Sequence, residues 1–348
     1  MFDFELLKKI SETPGAPGFE HHIRKLVTSE IKDLVDDLYV DSMGSLIGVR
    51  KGRSEKRVLV AAHMDEISFI VTHIDDEGFI RFHPLGGFDP KTLTAQRVIV
   101  HGTQDVPGVM GSKPVHLMTS EEKNKMVQLR DYFIDCGMPV EQVKELVSVG
   151  DPITRERELV VMGDCVNGKS LDNRVSVYIL IEALKALKGK EIPYDFYAAF
   201  TVQEEVGLRG AFNAAGHIDP DFGIGLDTTI AYDTPGALPF EMVTKLGAGT
   251  AIKIMDASII CDLRMVSYMK ATAKKHNITY QAEILPAGGT DTAAIQRQGA
   301  KGSIAGAISI PVRHIHQSIE MAHMGDIAAT IDLLTATISE LDQWNWEL

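Results

Sequence analysis

Dense basic runs, paired cysteines and long apolar segments are all missing from this chain of 348 residues. Its three cysteines, Cys136, Cys165 and Cys261, lie far apart. No disulfide framework or zinc knuckle can be drawn through them, and a reducing, cytoplasmic setting is the expectation. No apolar run reaches the roughly 18 residues a membrane-spanning helix needs, so no membrane span is expected. The opening MFDFELLKKISETPG lacks the basic start and apolar core of a secretion signal, and none is expected. A formal charge of −13 without a Lys/Arg-dense stretch leaves no basic face for nucleic acid. There is no internal repeat and no low-complexity segment.

What is there suits a packed globular chain, with 45% apolar and 24% charged residues. Short apolar runs alternate with helical periods. FEHHIRKLVTSEIKDLVDD puts Ile23, Leu26, Val27, Ile31, Leu34 and Val35 on one helical face. RVLVAAH, from Arg57, is a β-rich run that closes on a histidine. A helix is expected from about Asn173 to Gly189, then a strand over 194–202, a short helix over 208–215 and a strand, FGIGLD, ending at Asp227. TAIKIM and SIAGAISI read as further strands, and 325–341 as a helix facing inward with Ile327, Ile331, Leu334 and Ile338. This interleaving predicts an α/β fold, a central mixed sheet flanked by helices. Between Ser68 and Gly163 the pattern changes to short strands divided by Gly and Pro, followed by helical segments. The expected organisation is a discontinuous α/β domain over 1–68 and 164–348, interrupted by a small β-rich domain over 69–163.

Potential ligands recur where strands end. His63 and Asp65 follow the first in AAHMDE, Asp172 precedes the long helix in KSLDNR, and Glu204 and Glu205 follow the Tyr194 run in TVQEEVGLRGA. Asp227 ends FGIGLD, and His316 lies in PVRHIHQS after the last apolar strand. In an open α/β sheet the carboxyl ends of strands converge, so residues far apart in sequence can meet there. A single His or Asp at a strand end is more often a cap; the recurrence is the signal. Two histidines with three carboxylates, one of them bridging, can hold two divalent cations about 3.5–4 Å apart. Such a donor set suits zinc, cobalt or manganese better than calcium. Two adjacent glutamates then have separate uses, one as a ligand and one as a proton acceptor. His21, His22, His73, His83, His101 and His116 are scattered through the expected surface helix and the inserted module, and no catalytic role is expected of them. GAGT and AGGTD are glycine-rich but lack the spacing of a phosphate loop.

Five stretches, taken in order, resemble one family: His63-Met64-Asp65-Glu66, Leu171-Asp172-Asn173-Arg174, Gln203 to Ala211, Gly288-Gly289-Thr290-Asp291 and Arg313-His314-Ile315-His316. They are similar to the di-metal aminopeptidases of the glutamyl aminopeptidase and TET type, peptidase clan MH. Gly86-Gly87 and Gly150-Asp151-Pro152 match as well, so the likeness spans the chain. The resemblance implies a phosphorylase/hydrolase-like fold and removal of N-terminal residues from short peptides. By motif position, His63 and Asp227 are terminal ligands of one metal, Asp172 is the bridge with a cis peptide bond after it, and Glu205 and His316 bind the second metal. Glu204 becomes the general base, and Asp65 the residue that orients the His63 ring. Two zinc or cobalt ions are implied, with manganese as a third option. The inserted domain becomes a dimerisation module whose dimers build to a dodecamer.

His314 stands where that family usually has tyrosine, and Gln317 where it has a small hydroxyl residue. An extended chain would point His314 and His316 to the same face; motif position favours His316. Arg209 and Arg264 are candidate cations for substrate side chains, and Asp291 a candidate loop-orienting residue. Two rival readings are a two-carboxylate glycoside hydrolase, which needs no histidine, and a non-catalytic metal-binding assembly protein, which needs no Glu204.

Overall fold

The apolar runs that lead into candidate ligands become neighbouring strands of one sheet. A computed structural model describes residues 2–347. Its strands are β1 (Asp37–Val40), β2 (Leu46–Arg50), β3 (Ser54–His63), β4 (Ser68–Ile74), β5 (Ile80–Leu85), β6 (Arg97–His101), β7 (Asp105–Gly111), β8 (Phe133–Asp135) and β9 (Pro152–Arg155). They continue with β10 (Val160–Met162), β11 (Cys165–Gly168), β12 (Tyr194–Thr201), β13 (Phe222–Ile230), β14 (Thr250–Met255), β15 (Tyr280–Ile284), β16 (Ile304–Arg313) and β17 (Glu320–His323). The helices are α1 (Phe4–Glu12), α2 (His21–Ile31), α3 (Ser120–Lys123), α4 (Val140–Leu146), α5 (Leu171–Leu187), α6 (Arg209–Ile218), α7 (Leu263–Lys275), α8 (Asp291–Arg297) and α9 (Met324–Ser339).

The large sheet runs β1-β2-β12-β3-β13-β16-β17-β11-β10, with β14 on β16 and β15 on β14. Its centre is parallel: β12 and β13 flank β3, and β16 lies beside β13. Parallel strands carry helices on both faces, which is why β12 and β13 read as almost unbroken apolar runs. β2 and β17 pair antiparallel with their neighbours, making the sheet mixed. Leu7, Ile23, Val58, Val60, Val177, Leu180 and Ile308 are among the core residues between sheet and helices. No described helix is long and apolar enough to cross a membrane.

Between β3 and β10 the chain closes a barrel in the order β4-β5-β8-β7-β6-β9. Closure leaves no open edge. The barrel has its own core, including Phe69, Val71, Ile80, Val98, Val100, Ile134 and Ile153. Phe69 stacks on Phe88 with ring centroids 4.3 Å apart.

Two elements differ from the sequence expectation. α2 stops at Ile31, so Leu34 and Val35 lie beyond it. Val35 still faces the same core, where it and Ile31 crowd against Gly48 of β2, and that shared destination mimics a longer helix. β13 runs past Asp227 to Ile230, because β16 continues to pair with it after β3 has ended. Within the inserted segment, TSEEKNK forms the exposed α3, opened by a capping box between Thr119 and Glu122.

Candidate metal centre

Sheet register brings the ligands to one level. His63, the last residue of β3, pairs with Thr201 of β12. Beyond Thr201 the chain turns sharply through Glu204 and Glu205, because Gly210 lies on the Val202 backbone, where a Cβ would come within 2.6 Å of both its N and O. Asp172 sits at the start of α5. The motif that follows it pins it there: Asn173 Nδ2 donates to Leu226 O at 2.9 Å and Arg174 Nε to Met64 O at 2.6 Å. Asp172 is thereby held next to both Asp227 and His63. The Asp172–Asn173 peptide is cis, as the family resemblance implied.

The side chains gather into two groups that share one carboxylate, His63/Asp172/Asp227 and Asp172/Glu205/His316. His63 Nε2 lies 3.4 Å from Asp172 Oδ1 and 3.7 Å from Asp227 Oδ1. His316 Nε2 lies 3.1 Å from Asp172 Oδ2 and 3.6 Å from Glu205 Oε2. Donor atoms each about 2.0–2.2 Å from one ion sit roughly 3.3–3.6 Å apart. Three of the spacings, 3.4, 3.6 and 3.7 Å, are longer than ordinary hydrogen bonds and suit donors around a shared ion, while the fourth, 3.1 Å between His316 and Asp172, is of hydrogen-bond length. Asp172 Oδ1 and Glu205 Oε1 are buried without any hydrogen-bond partner, and an orphaned buried carboxylate oxygen calls for a cation. These are two divalent-metal binding sites.

The electrostatics agree. Burial pushes Glu205 up to about 8, with the Asp172 charge adding to it. Burial also lifts Glu204 well above the carboxylate range, opposed by His63 but supported by Asp227, Asp291 and Glu205. Burial raises Asp227 and carries Asp291 up to about 7. Asp172 goes the other way: burial is outweighed by hydrogen bonding and charge from His316 and His63. His316 overcomes burial to reach about 9 through Asp172 and Glu205. Without cations Glu204, Glu205 and Asp227 therefore hold protons more tightly, while Asp172 stays ionised and favours the charged form of His63 and His316.

Glu204 belongs to neither ligand group, although its Oε2 is 3.8 Å from His63 Nε2. The turn carrying it is fixed by Asp65, whose Oδ1 accepts the Glu204 N–H at 3.0 Å and whose Oδ2 accepts the Glu205 N–H at 3.1 Å. The His63 ring meets Asp65 mainly through its backbone, with Nδ1 3.1 Å from the carbonyl oxygen and 3.6 Å from the carboxylate. Asp291 accepts the Thr201 hydroxyl at 2.5 Å beneath this turn. His314 is exposed and outside both groups. The chain at His314 and His316 is left-handed, with φ of 62° and 58°, so the extended geometry that would have aligned them does not occur.

Two residues escaped the sequence reading. Glu320 is fully buried and accepts the N–H of Asp172 at 2.8 Å and of His316 at 3.2 Å. Lys253 lines a cavity of about 460 Å³ over the site, together with Thr228, Ile230, Leu285 and Ile315. It is buried and paired to Asp256 at 2.9 Å and Glu283 at 3.0 Å. The signals were slight: Lys253 is a charge inside the apolar TAIKIM strand, and Glu320 opens the short strand EMAH. Arg264 is tied to Asp262 and the Trp346 carbonyl, away from the cavity. Arg209 donates to the Gln203 side chain at 3.1 Å.

The sequence profile described as M42 glutamyl aminopeptidase matches residues 44–333. A putative aminopeptidase of Acetivibrio thermocellus is 43% identical over 336 residues, which is 96% of this chain and 98% of that protein. The crystal structure of a TET aminopeptidase from a marine-sediment archaeon of the Thaumarchaeota superposes with a TM-score of 0.94 at 37% identity, covering 97% of this chain and 96% of that one. The TET1 peptidase of Pyrococcus horikoshii, which can assemble into a tetrahedron or a large octahedral shell, gives 0.87 at 35% identity over 97% and 99%.

Proposed function

The chain belongs to the M42 glutamyl aminopeptidase family, and from that premise we propose how its own residues divide the work of a metal-dependent aminopeptidase. His63, Asp172 and Asp227 would hold one divalent ion, and Asp172, Glu205 and His316 the other. Zinc or cobalt suits this imidazole–carboxylate set best, with manganese next. When bound, such a pair acidifies water and polarises a carbonyl. Glu204 takes a proton from the attacking water at its carboxylate and returns it to the leaving amine. Asp65 keeps that carboxylate at its station by holding the amides of Glu204 and Glu205. The substrates are short peptides with a free N-terminus, whose first side chain enters the cavity between Ile230, Leu285 and Ile315.

The carrying observation is that the paired glutamates part company, Glu205 inside a ligand group and Glu204 outside both, 3.8 Å from His63 Nε2. Glu204→Gln is expected to keep two ions per chain by elemental analysis while turnover falls about 10²–10⁴-fold. Peptide cleavage at near wild-type rate by that variant would sink the assignment.

The module over 69–163 serves as the dimerisation domain, and dimers build to a dodecamer in the cytoplasm. Support comes from the exposed Val115, Leu117 and Met126 on the barrel side, and from the assembling Pyrococcus relative. Light scattering of the metal-loaded protein tests it; a monomer would rule it out.

A further inference from the structure

We propose that Glu320 is a positioning residue that pre-forms the His316-side metal site, acting on the backbone of two ligands at once. The proposal rests on the di-metal reading given above. Both of its oxygens are used: Oε2 accepts the Asp172 amide at 2.8 Å and Oε1 the His316 amide at 3.2 Å. Asp172 is the shared ligand and His316 the outer one, so a single side chain sets the relative position of two of the three outer ligands.

Topology explains why this residue can reach both. Glu320 opens β17, which lies between β11 and β16. β11 pairs Gly168 with Glu320 and then leads into Asp172. β16 pairs Arg313 with Met321 and then leads into the His316 turn. Asn167 Nδ2 also donates to the Glu320 carbonyl at 2.8 Å, which fixes the residue's own backbone. The two ligand-bearing segments thus leave the sheet on either side of Glu320.

The chemistry demands a carboxylate. Two amide N–H groups need two acceptors facing outward from one side chain, and only Asp or Glu offers that. Glutamine would supply one acceptor and turn its own N–H₂ toward the other amide. A buried carboxylate is costly unless its oxygens are satisfied; here the two amides satisfy both oxygens, and the buried Arg155 guanidinium adds a favourable charge from the barrel side. Asp65 does the same for Glu204 and Glu205. The centre therefore has two double-acceptor carboxylates, one beneath each pair of functional residues. On its other side the Glu320 segment is steadied by the barrel, where the buried Arg155 of β9 donates to Gln317 O.

The test is calorimetric titration of Co²⁺ into the full chain stripped of metal. Wild type should show two binding steps, and His316→Ala identifies the step that belongs to the outer site. In Glu320→Gln that step should weaken about 10–100-fold, the scale for partners of metal ligands, while the other shifts by less than about threefold. Hydrolysis should return at excess Co²⁺. An unchanged outer step, or equal weakening of both, overturns the proposal. Should Glu320→Gln fail to fold, as judged by circular dichroism, Glu320→Asp is read by the same contrast. Absence of two steps in wild type would instead overturn the di-metal reading.

Discussion

The two ligand groups share Asp172 but are built differently. The inner group stands on the centre of the sheet: His63 ends β3, Asp227 lies within β13, and their side chains are 2% and 8% exposed. The outer group depends on turns, and the His316 side chain is 41% exposed. The barrel also presses on it, since a Cβ at Gly86 would lie 3.3 Å from Glu205 Oε2, and one at Gly87 3.4 Å from His316 Nδ1. Strand-borne ligands inherit the rigidity of a fully buried parallel sheet. Turn-borne ligands need backbone clamps of their own, which here are Asp65 and Glu320.

That contrast can be broken outright. Asp172→Asn removes the only ligand common to both groups and should give the largest effect, loss of both ions and of all measurable peptide hydrolysis. Retention of one tightly held ion, measured by elemental analysis after dialysis, would mean that the groups are independent. Chelation of the wild type should match this variant, whereas a two-carboxylate glycosidase would survive metal removal.

A smaller, graded effect should come from pH. Metal binding needs the ionised carboxylate and the neutral imidazole. In the metal-free protein Glu205 keeps its proton up to about pH 8 and His316 up to about pH 9. Outer-site affinity should therefore climb as pH rises from about 6 to 9, because fewer protons must be displaced. Titrations at several pH values check this; affinity flat across that window would count against the assigned ligands.

The smallest effect tests the barrel's contribution. Gly86 has φ of 100°, and a Cβ there would meet Ile67 Cγ2 at 2.7 Å as well as approach Glu205. Gly86→Ala should cost about 1 kcal/mol or more of stability and loosen the outer ion more than the inner. A thermal melt with paired Co²⁺ titration would show it. Equal loosening of both ions would make the barrel contact a general one.

His63, Glu205, Asp227 and His316 were legible because each ends or follows an apolar run, and parallel strands deliver such ends to one edge; Asp172 was legible from its place ahead of the long helix. A β-rich insertion was legible from its Gly and Pro turns, but its closure into a barrel was not. Glu320 and Lys253 were not, since a carboxylate or ammonium in a short strand reads as solvent-facing until the neighbouring strands cover it. The roles of His314 and His316 hung on a left-handed turn, which no residue type there announces. Asp65 was found, but its main bonds proved to be to the Glu204 and Glu205 amides, a contact between segments 139 and 140 residues apart.

Residue types and their order determined the family, the α/β architecture and the donor set, because those depend on which groups sit at the ends of which apolar runs. Motif position already separated Glu205 from Glu204, and the grouping of Glu205 with Asp172 and His316 agrees with it; only tertiary packing decided which buried carboxylates hold the ligand backbones. The reason is physical: hydrogen bonds to main-chain amides carry no side-chain signature, and they come into being only when strands distant in sequence lie side by side.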